Sequence, residues 1–192
     1  MVGLISGVRK NSLAADAGIK AGEKLCSVDG VQVKDIIELS FYTSDYEVDL
    51  EIEATDGTRR QVHIEKYPDE DLGLEFDSAV FDRVATCYNN CVFCFVDQMI
   101  PGMRPGLYVR DDDYRLSFLY GNFITLTNMK DEDFERIIRT HLTPLYVSVH
   151  ATTRRCAAND AQPFRRSADG AFAAFVRCRH SGAYADCLLS RL

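Results

Sequence analysis

The sequence predicts an α+β chain, a small half-open β-barrel with two helices followed by an α/β region with parallel strands. Three observations carry that expectation. Residues 48–54 and 58–66 alternate apolar and polar side chains about Asp56-Gly57, the pattern of a hairpin with one buried face. Residues 123–150 read strand, helix, strand, the length of a crossover that joins parallel strands. Between the two regions lies a run of closely spaced cysteines, Cys87, Cys91 and Cys94.

Taken in order, Leu4 to Val8 is a short strand. Ser12 caps a one-turn helix from Leu13 to Ala17, which Gly18 closes. Lys24 to Val28 is a strand ending at Asp29-Gly30, a favoured tight-turn dipeptide. Asp35 caps a second helix carrying Ile36, Ile37, Leu39 and Phe41. The hairpin strands follow, in which Val48, Leu50 and Ile52 oppose Val62 and Ile64. Beyond them, Val80 to Ala85 reads as a strand running into Cys87, and Phe123 to Thr127 as another. Asp131 to Leu142 is an amphipathic helix with Phe134, Ile137 and Ile138 on one face, broken by Pro144. Leu145 to His150 is the last strand. These elements divide the chain into residues 1–77, 78–151 and 152–192.

Composition narrows the function. The 192 residues suit one domain or two small ones. A net charge of −7 argues against a nucleic-acid partner, because phosphate binding relies on excess Lys and Arg. No run approaches the roughly 18 apolar residues of a membrane span, and the first residues open no secretory signal. Seven cysteines, an odd number, cannot all pair internally, so a reduced cytoplasmic setting is expected. Residues 151–192 differ sharply from the rest: seven Arg and three Cys, with no Lys, Glu or Ile. Such a segment could act as a basic arm for a partner. Its composition also matches GC-rich DNA translated out of frame, and residues 152–192 are expected not to be native continuation.

Cys87-Tyr88-Asn89-Asn90-Cys91-Val92-Phe93-Cys94 is a C-x3-C-x2-C run. Thiolates are soft ligands suited to iron–sulfur clusters or zinc. Three on one loop can hold three irons of a cubane and leave the fourth open for a cosubstrate. Zinc would need a fourth ligand, for which His150 is the candidate. Asp111-Asp112-Asp113 reads as a solvated loop, Asn122 and Asn128 as turn caps or cosubstrate contacts, and Cys26 as core packing.

The run from Ser12 to Leu25, with Val28-Asp29-Gly30, resembles the core of a bacterial PDZ domain. That resemblance implies binding of a peptide or protein C-terminus by strand addition. Gly73-Leu74-Glu75-Phe76 is the candidate carboxylate loop if it folds back on the first strand. The cysteine spacing resembles that of radical S-adenosylmethionine (SAM) enzymes. Residues 1 to about 151 resemble a bacterial family with an N-terminal PDZ domain, a radical-SAM-like middle and a C-terminal domain of unknown function (number 512). The resemblance is most specific from Pro105 to Asn128.

The resemblance implies that Cys87, Cys91 and Cys94 ligate a [4Fe–4S] cluster in a partial TIM barrel, with Phe93 beside the adenine of SAM. Thr125, Thr127 and Asn128 stand where the family's SAM-binding motif would lie at the end of the second strand. It further implies a 5′-deoxyadenosyl radical and a low-potential electron donor such as a ferredoxin or flavodoxin. Only three of the usual six strands precede residue 151, so a truncated, incomplete barrel is expected. The alternative is a non-catalytic PDZ-type scaffold whose cysteine loop is a structural metal site.

Overall fold

The computed structural model describes residues 2–91 and 94–148. The chain forms two compact units, Met1–Arg83 and Val84–Leu192.

In the first unit, β1 (Gly3–Val8), β2 (Lys24–Val28), β3 (Glu47–Glu53), β4 (Arg59–Glu65) and β5 (Leu74–Phe76) form one antiparallel sheet. Its strand order is β4-β3-β2-β1-β5. Alternation decides which face is buried: Val48, Leu50 and Ile52 of β3 and Val62 and Ile64 of β4 enter the core with Ile5, Leu25 and Val28. The intervening Asp49, Gln61 and His63 stay outside.

Two short helices complete the unit. Ser12 caps α1 (Leu13–Asp16), its hydroxyl accepting from Ala15 N at 3.3 Å. Asp35, fully buried, caps α2 (Ile36–Tyr42) by accepting from Glu38 N at 2.9 Å. Asp29 and Gly30 both take left-handed conformations, φ +49° and +76°, as the expected tight turn requires. The turn is followed by a single bridge, Val28 to Val31, and not by a strand. Cys26 sits in the core at an irregularity between β2 and β3, and burial pushes its thiol up.

The Gly73-Leu74-Glu75-Phe76 element does fold back. It pairs with β1, while Arg9 N donates to the Gly73 carbonyl at 2.9 Å. The expected strand from Val80 to Ala85 does not form. Val80 instead makes an isolated antiparallel bridge with Asp35, and Phe81 N donates to Lys34 O at 2.8 Å. Phe81 stacks at a tilt on Phe76, 4.7 Å between ring centroids, so this segment closes the first unit.

The second unit holds a 3-10 turn (Pro105–Tyr108), α3 (Tyr114–Tyr120), β6 (Phe123–Ile124), α4 (Asp131–Arg139) and β7 (Tyr146–Val147). β6 and β7 pair in parallel, as the crossover length predicted, though both are shorter than expected. α4 stops at Arg139, before Pro144, where His141 turns left-handed at φ +52°. Phe134 and Ile137 are buried on it, but Ile138 faces solvent at 46% exposure. α3 was not anticipated. Asp113 caps it and Gly121, at φ +76°, ends it. No helix among the described residues is long and apolar enough to cross a membrane.

Gly73 tests how tightly β5 is seated. It has φ +82°, and a Cβ there would lie 2.3 Å from Ser12 Cβ. Gly57 has φ +85° but opens onto empty space. Gly73→Ala should therefore cost about 1–3 kcal/mol beyond the backbone strain that it shares with Gly57→Ala. Denaturant midpoints of the two variants, compared with the parent, measure the difference.

Candidate functional site

The candidate site is built around the cysteine loop of the second unit. Two short backbone bridges define its base. Cys87 N donates to Arg110 O at 2.8 Å and Asp112 N to Ala85 O at 2.8 Å, around a Thr86–Asp111 bridge. Past the loop, Cys94 N donates to Cys91 O at 3.0 Å and Gln98 N to Cys94 O at 3.2 Å. Cys87, Cys91 and Cys94 are in no disulfide among the described residues, and all three are half-buried.

Beneath the loop lies a buried polar floor, which overturns the expectation of a solvated acid triplet. Asp112 and Asp113 are each only 1% exposed. Asp112 accepts from Thr125 N and from Thr125 Oγ1, both at 2.6 Å. Asp113 accepts from Arg115 Nη2 at 2.7 Å, Arg115 Nε at 2.9 Å and Ala85 N at 2.9 Å. Asp111 is half-buried and accepts from Asn122 Nδ2 at 2.7 Å. Buried carboxylates persist only when bonded this fully.

The two buried acids titrate in opposite senses. Burial pushes Asp112 up, reinforced by Asp111 and Asp113 and only partly offset by Thr125. Burial also acts on Asp113, but Arg115 and the Ala85 amide outweigh it and hold that carboxyl below the usual range.

Thr125, Thr127 and Asn128 converge on this floor. Thr125 Oγ1 gives its single proton to Asp112, so the 2.8 Å contact with Thr127 Oγ1 has Thr127 as donor. Both hydroxyls accept from the carboxamide of Asn89, at 3.2 and 2.9 Å. Asn128 Nδ2 donates to Asp112 O at 2.9 Å and to Thr86 O at 3.2 Å. The residues nominated at the end of the second strand are thus brought against the cysteine loop, through Asn89 and Thr86. Phe93, His150 and the segment 152–192 lie outside the described residues.

Three residues of the site escaped the sequence reading: Asn89, 5% exposed inside the cysteine run, Arg110, and Arg115. Asn89 gave one signal, a polar residue fixed between two candidate ligands. The arginines gave none.

The donor set fits an iron–sulfur cluster in its chemistry: three thiols on one loop, none in a disulfide among the described residues and none sealed in the core. Among the described residues no three His, Cys, Asp or Glu side chains are gathered closely enough to hold an ion.

Comparison with known proteins divides the chain in the same order. Residues 66–160 match the family model of a Radical SAM-like domain, and residues 4–53 that of a PDZ domain. The PDZ match spans β1 to β3, and β4 and β5 extend its sheet on either side. No curated protein matches the chain.

Asp113 and Arg115 supply a test of the floor. Asp113→Ala removes the carboxylate that Arg115 and the Ala85 amide bond in the interior, and should cost about 3–5 kcal/mol at neutral pH. Because the folded state holds the Asp113 carboxyl below its ordinary value, this contribution is fully present above about pH 4 and disappears as pH falls through the lowered value. Denaturation of parent and variant at successive pH values should show the gap between them closing on acidification.

Proposed function

We propose that this chain, with a PDZ domain ahead of a Radical SAM-like domain, is an iron–sulfur protein resembling radical SAM enzymes. Cys87, Cys91 and Cys94 would hold a [4Fe–4S] cluster. The observation that carries the reading is the C-x3-C-x2-C spacing of three half-buried cysteines, none in a disulfide, within the residues that match the Radical SAM-like domain. When bound, such a cluster supplies one low-potential electron and an open iron at which SAM is chelated.

The chain's own part is to shape the pocket. The buried Asp112 carboxylate orients the Thr125 hydroxyl, which receives the Thr127 hydroxyl, and together they seat Asn89 in the loop. Asn128 pins the loop base through the Thr86 carbonyl. Thr125, Thr127 and Asn128 are proposed to meet the cosubstrate on the side not occupied by these bonds, with Phe93 against its adenine. An external donor of the ferredoxin or flavodoxin kind would deliver the electron, in a reducing cytoplasm.

A second reading has its own support. Among the described residues β5 pairs on one side only, with β1, leaving an edge on which an extended peptide can add as a further strand. The first unit is proposed to bind a peptide or protein C-terminus there. A scaffold role would pair that activity with a purely structural metal loop.

Anaerobic reconstitution separates the two. The parent protein should carry iron and sulfide in near-equal amounts, and Cys87→Ala, Cys91→Ala or Cys94→Ala should each strip most of both. Cys26→Ala should leave them. Full metal retention in Cys91→Ala would sink the cluster assignment, and zinc without sulfide in the parent would favour the scaffold.

A further inference from the structure

The edge of β5 can be met by a stretch from within a partner chain or by that chain's end, and the two differ by one carboxylate. A terminal carboxylate is held where backbone amides or a cation stand ready for it. On a partner strand running antiparallel to β5, it would fall beside Gly73, just ahead of Leu74.

Donors along the stretch that leads into β5 are already engaged by the chain itself. Gly73 N donates to Asp71 Oδ1 at 2.8 Å, and the Arg9 guanidinium pairs with the same side chain. Tyr67 N donates to Glu70 Oε2 at 3.3 Å. Lys66 is buried, and its ammonium gives its three protons to the carbonyls of Thr43, Tyr67 and Pro68, at 2.7, 2.8 and 3.1 Å. Residues 66 to 75 hold four acids against this one lysine. An incoming carboxylate would have to displace Asp71 from both Gly73 N and Arg9 while adding a like charge beside it. A stretch from within a chain brings no such charge and pairs through its backbone.

We infer that Asp71 makes the β5 edge selective for an extended segment internal to a partner chain, with no carboxylate at the end that meets Gly73. Its side chain fills the amide and the guanidinium that a chain terminus would need. This selectivity rests on the strand-addition reading above and narrows its ligand. Asp71→Ala removes both the charge and the acceptor, whereas Asp71→Asn removes the charge and keeps an oxygen for Gly73 N. The side chain is 71% exposed, so neither substitution opens the core.

The test immobilises the full chain as the parent, Asp71→Ala and Asp71→Asn. Each is offered two synthetic pools of random acetylated hexapeptides, one ending in a free carboxylate and the other in a carboxamide, and retained peptide is quantified by mass spectrometry. The parent should hold the carboxamide pool at least as well as the free-acid pool. Asp71→Ala should raise retention of the free-acid pool about tenfold relative to the carboxamide pool, the scale of one hydrogen bond to a charged group. Asp71→Asn should fall between the two, because the Gly73 amide stays occupied.

A parent that prefers the free-acid pool several-fold would overturn the role of Asp71 while leaving strand addition standing. An Asp71→Ala protein with the parent's ratio of the two pools would do the same. Retention of neither pool by any of the three proteins would instead overturn strand addition at β5, and the selectivity with it.

Discussion

Burial of two adjacent carboxylates is the constraint on which the second unit depends. Asp112 and Asp113 follow one another in sequence, yet both are withdrawn from water, and every contact that makes this tolerable also joins two parts of the unit. Asp113 ties the residues before the cysteine loop, through Ala85 N, to the first turn of α3, through Arg115. Asp112 ties the same stretch to the end of β6, through Thr125. Together these acids anchor the stretch before the loop, the start of α3 and the end of β6 to one another.

The first unit is held differently. Its sheet and core use alternating aliphatic side chains, and polar groups serve mainly as caps or as pairs at the sheet surface. Buried Glu23 and half-exposed Arg60 form one pair, in which two bonds of 2.7 and 2.8 Å hold the Glu23 carboxyl below its usual range. A core of this kind tolerates exchange of one aliphatic residue for another of similar volume. The polar floor of the second unit does not, because each partner removed leaves a buried group unsatisfied.

This contrast bears on function. Under the iron–sulfur proposal, a loop that is to collect a metal must keep its ligands out of the hydrophobic core, and bonds from beneath fix this loop without burying its thiols. The thiols stay half-exposed, while Asn89 between them is almost fully buried and bonded on both its main chain and its side chain. The edge proposed to take a peptide is built from backbone, and the loop proposed to hold the cluster rests on side-chain bonds from a buried floor.

Sequence by itself determined the elements whose signals are local. Strands β1 to β4, the caps Ser12 and Asp35, the Asp29-Gly30 turn, the helix α4 and the parallel pairing of β6 with β7 were all legible, since periodicity and cap chemistry act within a few residues. The cysteine spacing was legible for the same reason. Tertiary structure alone decided the rest. Val80 bridges to Asp35, 45 positions away in number, and so closes the first unit where alternation suggested a strand entering the second. The acid triplet looks solvated in sequence because charge normally seeks water. Only the arrival of Thr125, Arg115 and the Ala85 amide makes its burial affordable, and pairings across such separations leave no periodic trace. Arg110 belongs to the same class: its identity is written in the chain, but its bonds to Cys87, Asn89 and Asp97 exist only once the fold has brought these residues together.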